Sequence, residues 1–345
     1  AVMPMSGPLA AYGQVTNLGV ELAHKQQPTL KNGDTIKLVL LDNKGDKVET
    51  ANATTRLISS DNVVAILGAL TSTNTAQVIA IADKKEIPVI ASVATNDQLT
   101  AKREFANRVC FTDSFQGEVV ANFAKAQGYK TAVVIVDQAQ VYSLGLSKAF
   151  ENAFEKNGGK IVKKIKVTSG DKDFKAVVSQ IKETNPDFMF LPLYHPEASM
   201  IARQSKQLGL EKPMFSGDGV ANQTFIDLGG DSVNGYMFTD FFDSTNPPSQ
   251  TSADFVAFHE KETGNKEMNS FTALGADTYN VLIDAMNRCE DPTNSVCINK
   301  EIKKTTGFDG VSGKISIDKE GNATRSAVIK EIKDGKAVFK ATVNP

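Results

Sequence analysis

Residues 63–95 read VVAILGALTSTNTAQVIAIADKKEIPVIASVAT. An unbroken apolar run over 63–67 meets Gly68-Ala69-Leu70-Thr71-Ser72-Thr73; a stretch with helical spacing follows over 73–85, and a second apolar run fills 87–91. Neither run alternates polar with apolar residues, which is the pattern of strands covered on both faces. Strand, helix and strand in this succession build a parallel sheet. The same unit repeats outward in both directions. Strands are expected over 36–41, 63–67, 87–91, 109–112, 131–136, 161–167, 188–193 and 235–239. Helices are expected over 14–27, 48–60, 73–85, 117–127, 145–157, 174–183, 198–208, 253–262 and 273–288. Several stop at glycine, as in Asn157-Gly158-Gly159 and Leu208-Gly209. The fold class is α/β.

The tail departs from this rhythm. Short alternating runs over 313–317, 327–332 and 337–342 are separated by Glu320-Gly321-Asn322 and Asp334-Gly335. The last two runs read as a hairpin, because Asp-Gly supplies the positive φ angles of a tight hairpin turn. Residues 243–250, with Pro247-Pro248, read as an irregular crossover between two α/β regions.

The 345 residues suggest about two domains. With 41% hydrophobic and 23% charged residues the chain is an ordinary globular one, which excludes disorder and disulfide-dense miniprotein scaffolds. A net charge of −2 argues against nucleic acid or an anionic membrane surface as partner. No apolar run approaches the roughly 20 residues of a membrane helix. Ala1-Val2-Met3-Pro4-Met5 reads as the tail of a buried strand, so further strand residues and any leader are expected to precede it.

Enzyme motifs fail on inspection. No Gly-x-Gly-x-x-Gly follows a strand, and no Gly-x-Ser-x-Gly elbow occurs. Residues 307–314, GFDGVSGK, approach a phosphate loop, but its spacing would need glycine at Phe308 and a hydroxyl at Ile315. His24, His195 and His259 are scattered without metal-ligand spacing, and His24 and His259 are expected to be solvated helix residues. No metal or cofactor is expected. Cys289 and Cys297 flank a turn-rich loop, and a disulfide closing it is expected, with two free thiols as the alternative. If formed, it points to an oxidising compartment. Cys110, in an apolar run, reads as an inert core residue.

Four strand-to-helix junctions carry small hydroxyl, acidic or aromatic residues, where open α/β sheets bind ligands beyond the carboxyl ends of their strands. They are Gly68-Ala69-Leu70-Thr71-Ser72-Thr73, Ser92-Val93-Ala94-Thr95, Tyr194-His195-Pro196-Glu197 and Ser216-Gly217-Asp218-Gly219. The first two offer hydroxyls and free N–H groups at helix starts, which suit a carboxylate. The last two offer a phenol and an aspartate, which suit an ammonium group. Each residue also has a plainer reading: Ser72 as a helix cap, Thr95 as a turn hydroxyl, Asp218 as an Asx-turn residue, and Tyr12, Tyr142 and Phe271 as core aromatics.

Met5-Ser6-Gly7-Pro8-Leu9-Ala10-Ala11-Tyr12-Gly13, Tyr194-His195-Pro196-Glu197 and Gly217-Asp218-Gly219-Val220-Ala221-Asn222 resemble the leucine/isoleucine/valine-binding proteins, periplasmic solute receptors of ABC importers. The likeness runs in register along essentially the whole chain. It implies the type I, Venus-flytrap fold: two doubly wound Rossmann-like lobes joined by three crossovers, with the ligand held between them. The lobes would be 1–114 with 244–321 and 115–243 with 322–345. By matching positions, Ser72 and Thr95, at the junction that also carries Thr71, would hold an α-carboxylate. Asp218, Tyr194 and the carbonyl of Val93 would hold the α-ammonium. Tyr12, Leu70, Tyr142 and Phe271 would line the side-chain pocket. Asp218 stands where leucine-type receptors usually carry the longer glutamate, which leaves the particular solute open among apolar amino acids, an amide, a short-chain acid or a γ-amino acid. The resemblance also implies a monomer that docks on a membrane permease, in the periplasm or lipid-anchored outside the cell. A sensory ligand-binding module is the alternative.

Overall fold

The computed structural model describes residues 1–345. Two units form, each from separated stretches of chain: 1–112 with 241–326 and 345, and 113–240 with 327–344. Residues 322–326, assigned to the second lobe in the sequence reading, pack with the first unit. Ala323–Thr324 pairs antiparallel with Gly313–Ile317, and Arg325 donates to Ser312 Oγ at 2.8 Å and to the carbonyl of Phe241 at 2.8 Å.

In the first unit, Val2–Met3 pairs in parallel with Leu41–Asp42 and bridges to Gly68. Ile66–Leu67 pairs in parallel with Val89–Ala91, and that strand with Ala106–Arg108. Gly68 is required here, since its φ is +125° and a Cβ would lie 2.0 Å from the carbonyl oxygen of Val2. The last strand starts three residues before the expected 109–112. Its residues Asn107 and Arg108 are polar yet buried, Asn107 Nδ2 donating to Asn299 Oδ1 at 2.9 Å. A reading keyed to apolar runs passes over such a strand. Residues 308–317 form an antiparallel hairpin, Phe308–Gly310 with Gly313–Ile317, so the phosphate-loop lookalike leads into a strand.

The helices Ala10–Gln26 and Ser270–Arg288 meet backbone to backbone. A Cβ on Gly19 would fall 1.9 Å from the carbonyl oxygen of Thr272, and one on Gly275 would fall 2.1 Å from that of Thr16. Thr272 Oγ1 donates to the carbonyl of Val15 at 2.8 Å across the same contact. This crossing sets Tyr12 beside Phe271, with ring centroids 5.5 Å apart.

The second unit carries one seven-stranded sheet. Its order is Lys336–Val343, Ala327–Lys333, Met237–Asp240, Met214–Ser216, Phe188–Phe190, Thr131–Asp137 and Lys160–Val167. The five strands from Met237–Asp240 onward are parallel, and the C-terminal pair is antiparallel. That pair turns at Asp334 and Gly335, whose φ angles are +48° and +75°. Phe150, Phe154, Phe188 and Phe190 fill the core beneath, with Phe150 and Phe190 centroids 4.2 Å apart.

Two short helices fall outside the expected set. Gln223–Gly229 and Ser295–Ile302 start at Asn222 and Asn294, each accepting the N–H three residues on at 3.0 Å. Cys297 therefore sits in a first helical turn, bonded to Cys289 with Cα atoms 6.0 Å apart. His259 is not solvated as expected. It is 3% exposed, and burial pushes its pKa down. His24 is half-buried, its Nε2 3.0 Å from the carbonyl of Ile36. No helix is long and apolar enough to cross a membrane.

Candidate functional site

Two sets of polar groups lie at strand-to-helix junctions, one in each unit. In the first unit the chain leaves Ile66–Leu67 and enters the helix Ser72–Ala82. Leu70 takes a φ of +79°, a costly conformation for a bulky side chain, and is 3% exposed. Thr71, not Ser72, is the cap, accepting Asn74 N–H at 3.4 Å. Ser72 occupies the first helical position, where the N–H groups have no intrahelical acceptor. Its Oγ accepts Asn96 N–H at 3.3 Å, which leaves its proton to donate. Asn96 belongs to the neighbouring junction after Val89–Ala91, so this bond ties the two junctions together. There Val93 is buried, and Thr95 is fully buried with no hydrogen-bond partner for Oγ1. A buried hydroxyl without a partner costs free energy in the fold itself.

The second unit gathers Asp218, Tyr142 and Tyr194. Asp218 follows Met214–Ser216, Tyr142 lies in the first turn of Val141–Lys156, and Tyr194 immediately precedes His195–Gln207. The two phenol rings stack with centroids 5.0 Å apart and planes at 13°. Tyr142 Oη accepts Gly219 N–H at 3.1 Å. Glycine flanks Asp218 for lack of room, since a Cβ on Gly217 would lie 2.6 Å from Tyr142 Oη and one on Gly219 2.6 Å from the carbonyl oxygen of Leu193.

Gln116, on Asp113–Ala126, is the residue the sequence reading missed. Its Oε1 accepts Asp218 N–H at 2.7 Å and Thr239 Oγ1 at 2.6 Å. No pattern in the sequence marks it, because the contact spans 102 positions. Asp218 is 4% exposed, and its Oδ1 has no partner of good geometry. Its carboxyl accepts no N–H from the residues just ahead, so it is not an Asx turn. Burial pushes its pKa up to about 7, with the Asp240 charge adding to the rise and the Gln116 amide and Tyr142 hydroxyl opposing it. Burial and the neighbouring carboxylates hold Tyr142 as a neutral phenol.

One unit thus presents buried donors at a helix start, and the other a buried acid short of a partner. Comparison with known proteins gives this arrangement its class. The profile of the periplasmic binding protein family matches residues 1–337, and the chain belongs to that family. It is 28% identical over 330 residues to the Leu/Ile/Val-binding protein BraC3 of Rhizobium johnstonii, covering 94% of this chain and 88% of that one. It is 27% identical over 324 residues to the Leu/Ile/Val-binding protein of Escherichia coli K12, covering 92% and 85%. Among solved structures, a leucine-binding protein from Thermotoga maritima superposes with a TM-score of 0.97 at 38% identity, covering 100% and 97%. The branched-chain amino acid substrate-binding protein LivJ from Streptococcus pneumoniae, in complex with isoleucine, superposes at 0.92 with 29% identity, covering 100% and 98%. The fold is that of type I periplasmic binding proteins, and the chain is a solute-binding protein of the ABC-transporter kind. Such proteins are extracytoplasmic, bind small solutes and interact with membrane permeases.

Proposed function

We propose that this protein captures, in the periplasm, an apolar α-amino acid of the leucine, isoleucine and valine type, and delivers it to a membrane permease. The single observation that carries the reading is the matched pair of unmet needs. Thr95 Oγ1 is buried without a partner in one unit, and Asp218 Oδ1 in the other. A zwitterion supplies an acceptor for the first and a cationic donor for the second, and a buried carboxylate is retained most cheaply when an opposite charge meets it. Ser72 and Thr95 take the carboxylate. Asp218, with Tyr194 and the carbonyl of Val93, takes the ammonium; Tyr142, expected to line the side-chain pocket, joins them because its ring stacks on Tyr194. Tyr12, Leu70 and Phe271 offer apolar surface to the side chain. The names of the relatives from Rhizobium and Escherichia, and the isoleucine in the Streptococcus protein, support the same ligand class.

A solute-binding protein from R. palustris in complex with benzoate shares the fold at a TM-score of 0.89 but only 21% identity. Benzoate brings no cation to Asp218. A thermal-shift panel of the free amino acids, with γ-aminobutyrate, acetamide and benzoate included, tests the assignment. An α-amino acid at a hundred times its dissociation constant stabilises the protein by about 2.7 kcal/mol. A shift with benzoate and with no α-amino acid would overturn the reading. Calorimetry then ranks leucine, isoleucine and valine, and sedimentation checks that the working form is a monomer.

A further inference from the structure

Arg108 is the largest fully buried side chain of the molecule, at 0% exposure. Its guanidinium meets carbonyl oxygens and no carboxylate. Nη1 donates to the carbonyl of Ala94 at 3.0 Å, Nη2 to that of Asn96 at 2.8 Å, and Nε has no partner. A buried cation without a counter-charge is expensive, and a fold that needed only a brace here has cheaper ones. The two carbonyls flank Thr95. The peptide whose oxygen is Ala94's has as its N–H that of Thr95, and no backbone acceptor uses that N–H. A cation on one end of a peptide unit polarises it and strengthens the donor at the other end. Cys110 Sγ also donates to the carbonyl of Ala94, at 3.3 Å, but carries no charge.

We infer that Arg108 is a positioning residue for the carboxylate half-site: its fork fixes the Thr95 turn from behind and, through the Ala94 carbonyl, makes Thr95 N–H a charge-strengthened donor to the ligand's carboxylate. This rests on the proposed role of Thr95. The guanidinium acts through the backbone and touches no ligand atom. A reader of anionic ends built this way discriminates a carboxylate from its uncharged amide, even where both would fit.

The test is calorimetry at pH 7 with leucine and with leucinamide, on the wild type, Arg108→Lys and Arg108→Met, with Cys110→Ala as the uncharged control. Lysine keeps a charge but cannot fork to both carbonyls, and it is the variant relied on if methionine does not fold. The wild type should prefer leucine to leucinamide; equal affinity, or none for leucine, sinks the carboxylate role of Thr95 itself. Given that preference, both arginine variants should lose about tenfold or more in leucine affinity and no more than about threefold for leucinamide, the difference a charge-assisted bond makes. An equal loss for the two ligands reduces Arg108 to a structural brace, and no loss for either removes it from the site; both outcomes overturn the inference. Cys110→Ala should leave the leucine to leucinamide ratio as in the wild type.

Discussion

Asp218 and Thr95, which the proposed reading gives to the ligand, both carry a cost in the unliganded fold. Folding raises the Asp218 pKa from the ordinary 3.8 to about 7. The folded chain therefore holds a proton that the unfolded chain has lost between those values, so this residue's contribution to stability falls as pH rises from about 4 to 7 and is level above. Asp218→Asn should accordingly melt higher than the wild type at pH 8 and alike at pH 4, in scans without ligand. An ammonium ligand demands the ionised form, so binding below pH 7 releases a proton and affinity weakens by up to about tenfold per pH unit. Calorimetry in buffers of different ionisation enthalpy reads that proton directly, and the Asn variant should show weak, pH-independent binding. Thr95→Val removes a hydroxyl that has no partner in the fold. Its unfolding free energy should be unchanged or higher, while leucine affinity drops by about ten- to a hundredfold, the range for a bond to a charged group. A destabilised Thr95→Val protein with normal affinity would reverse that assignment.

At the scale of elements, the helix crossing of Ala10–Gln26 with Ser270–Arg288 holds Tyr12 and Phe271 in place. Gly275→Ala would force a methyl to 2.1 Å from the Thr16 carbonyl oxygen, so the helices must part. A loss of about 2 kcal/mol in urea unfolding is expected, with weakened ligand binding, because overpacking displaces both aromatics. The Cys289–Cys297 bond spans eight positions after the same helix. Replacing both by serine should cost about 2–3 kcal/mol by loop closure, without changing ligand affinity. The helix Ser72–Ala82 shows why a cap is hard to place from sequence. Thr71, Ser72 and Thr73 are chemically equal candidates, and the geometry of the preceding turn, with Leu70 at positive φ, hands the role to Thr71. Ser72 is thereby released to face the neighbouring junction.

At the scale of the molecule, each proposed half-site draws on separate stretches of chain, and a net charge of −2 would leave recognition of a zwitterion to local groups. Unbroken apolar runs alternating with helical spacing determined the parallel α/β sheets, since a strand covered on both faces tolerates little else. Asp334-Gly335 determined the C-terminal hairpin through its two positive φ angles. The junction hydroxyls and Asp218 stood out because they interrupt apolar strands at the ends where helices begin. The tertiary structure alone decided the rest. It brought Gln116 to Asp218 across 102 positions, buried His259, and made a strand of the polar Ala106–Arg108. It also set Arg108 behind Thr95. Periodicity reports which face of an element is covered, whereas a buried polar side chain is chosen by the one partner waiting for it, and that partner lies on another stretch of chain.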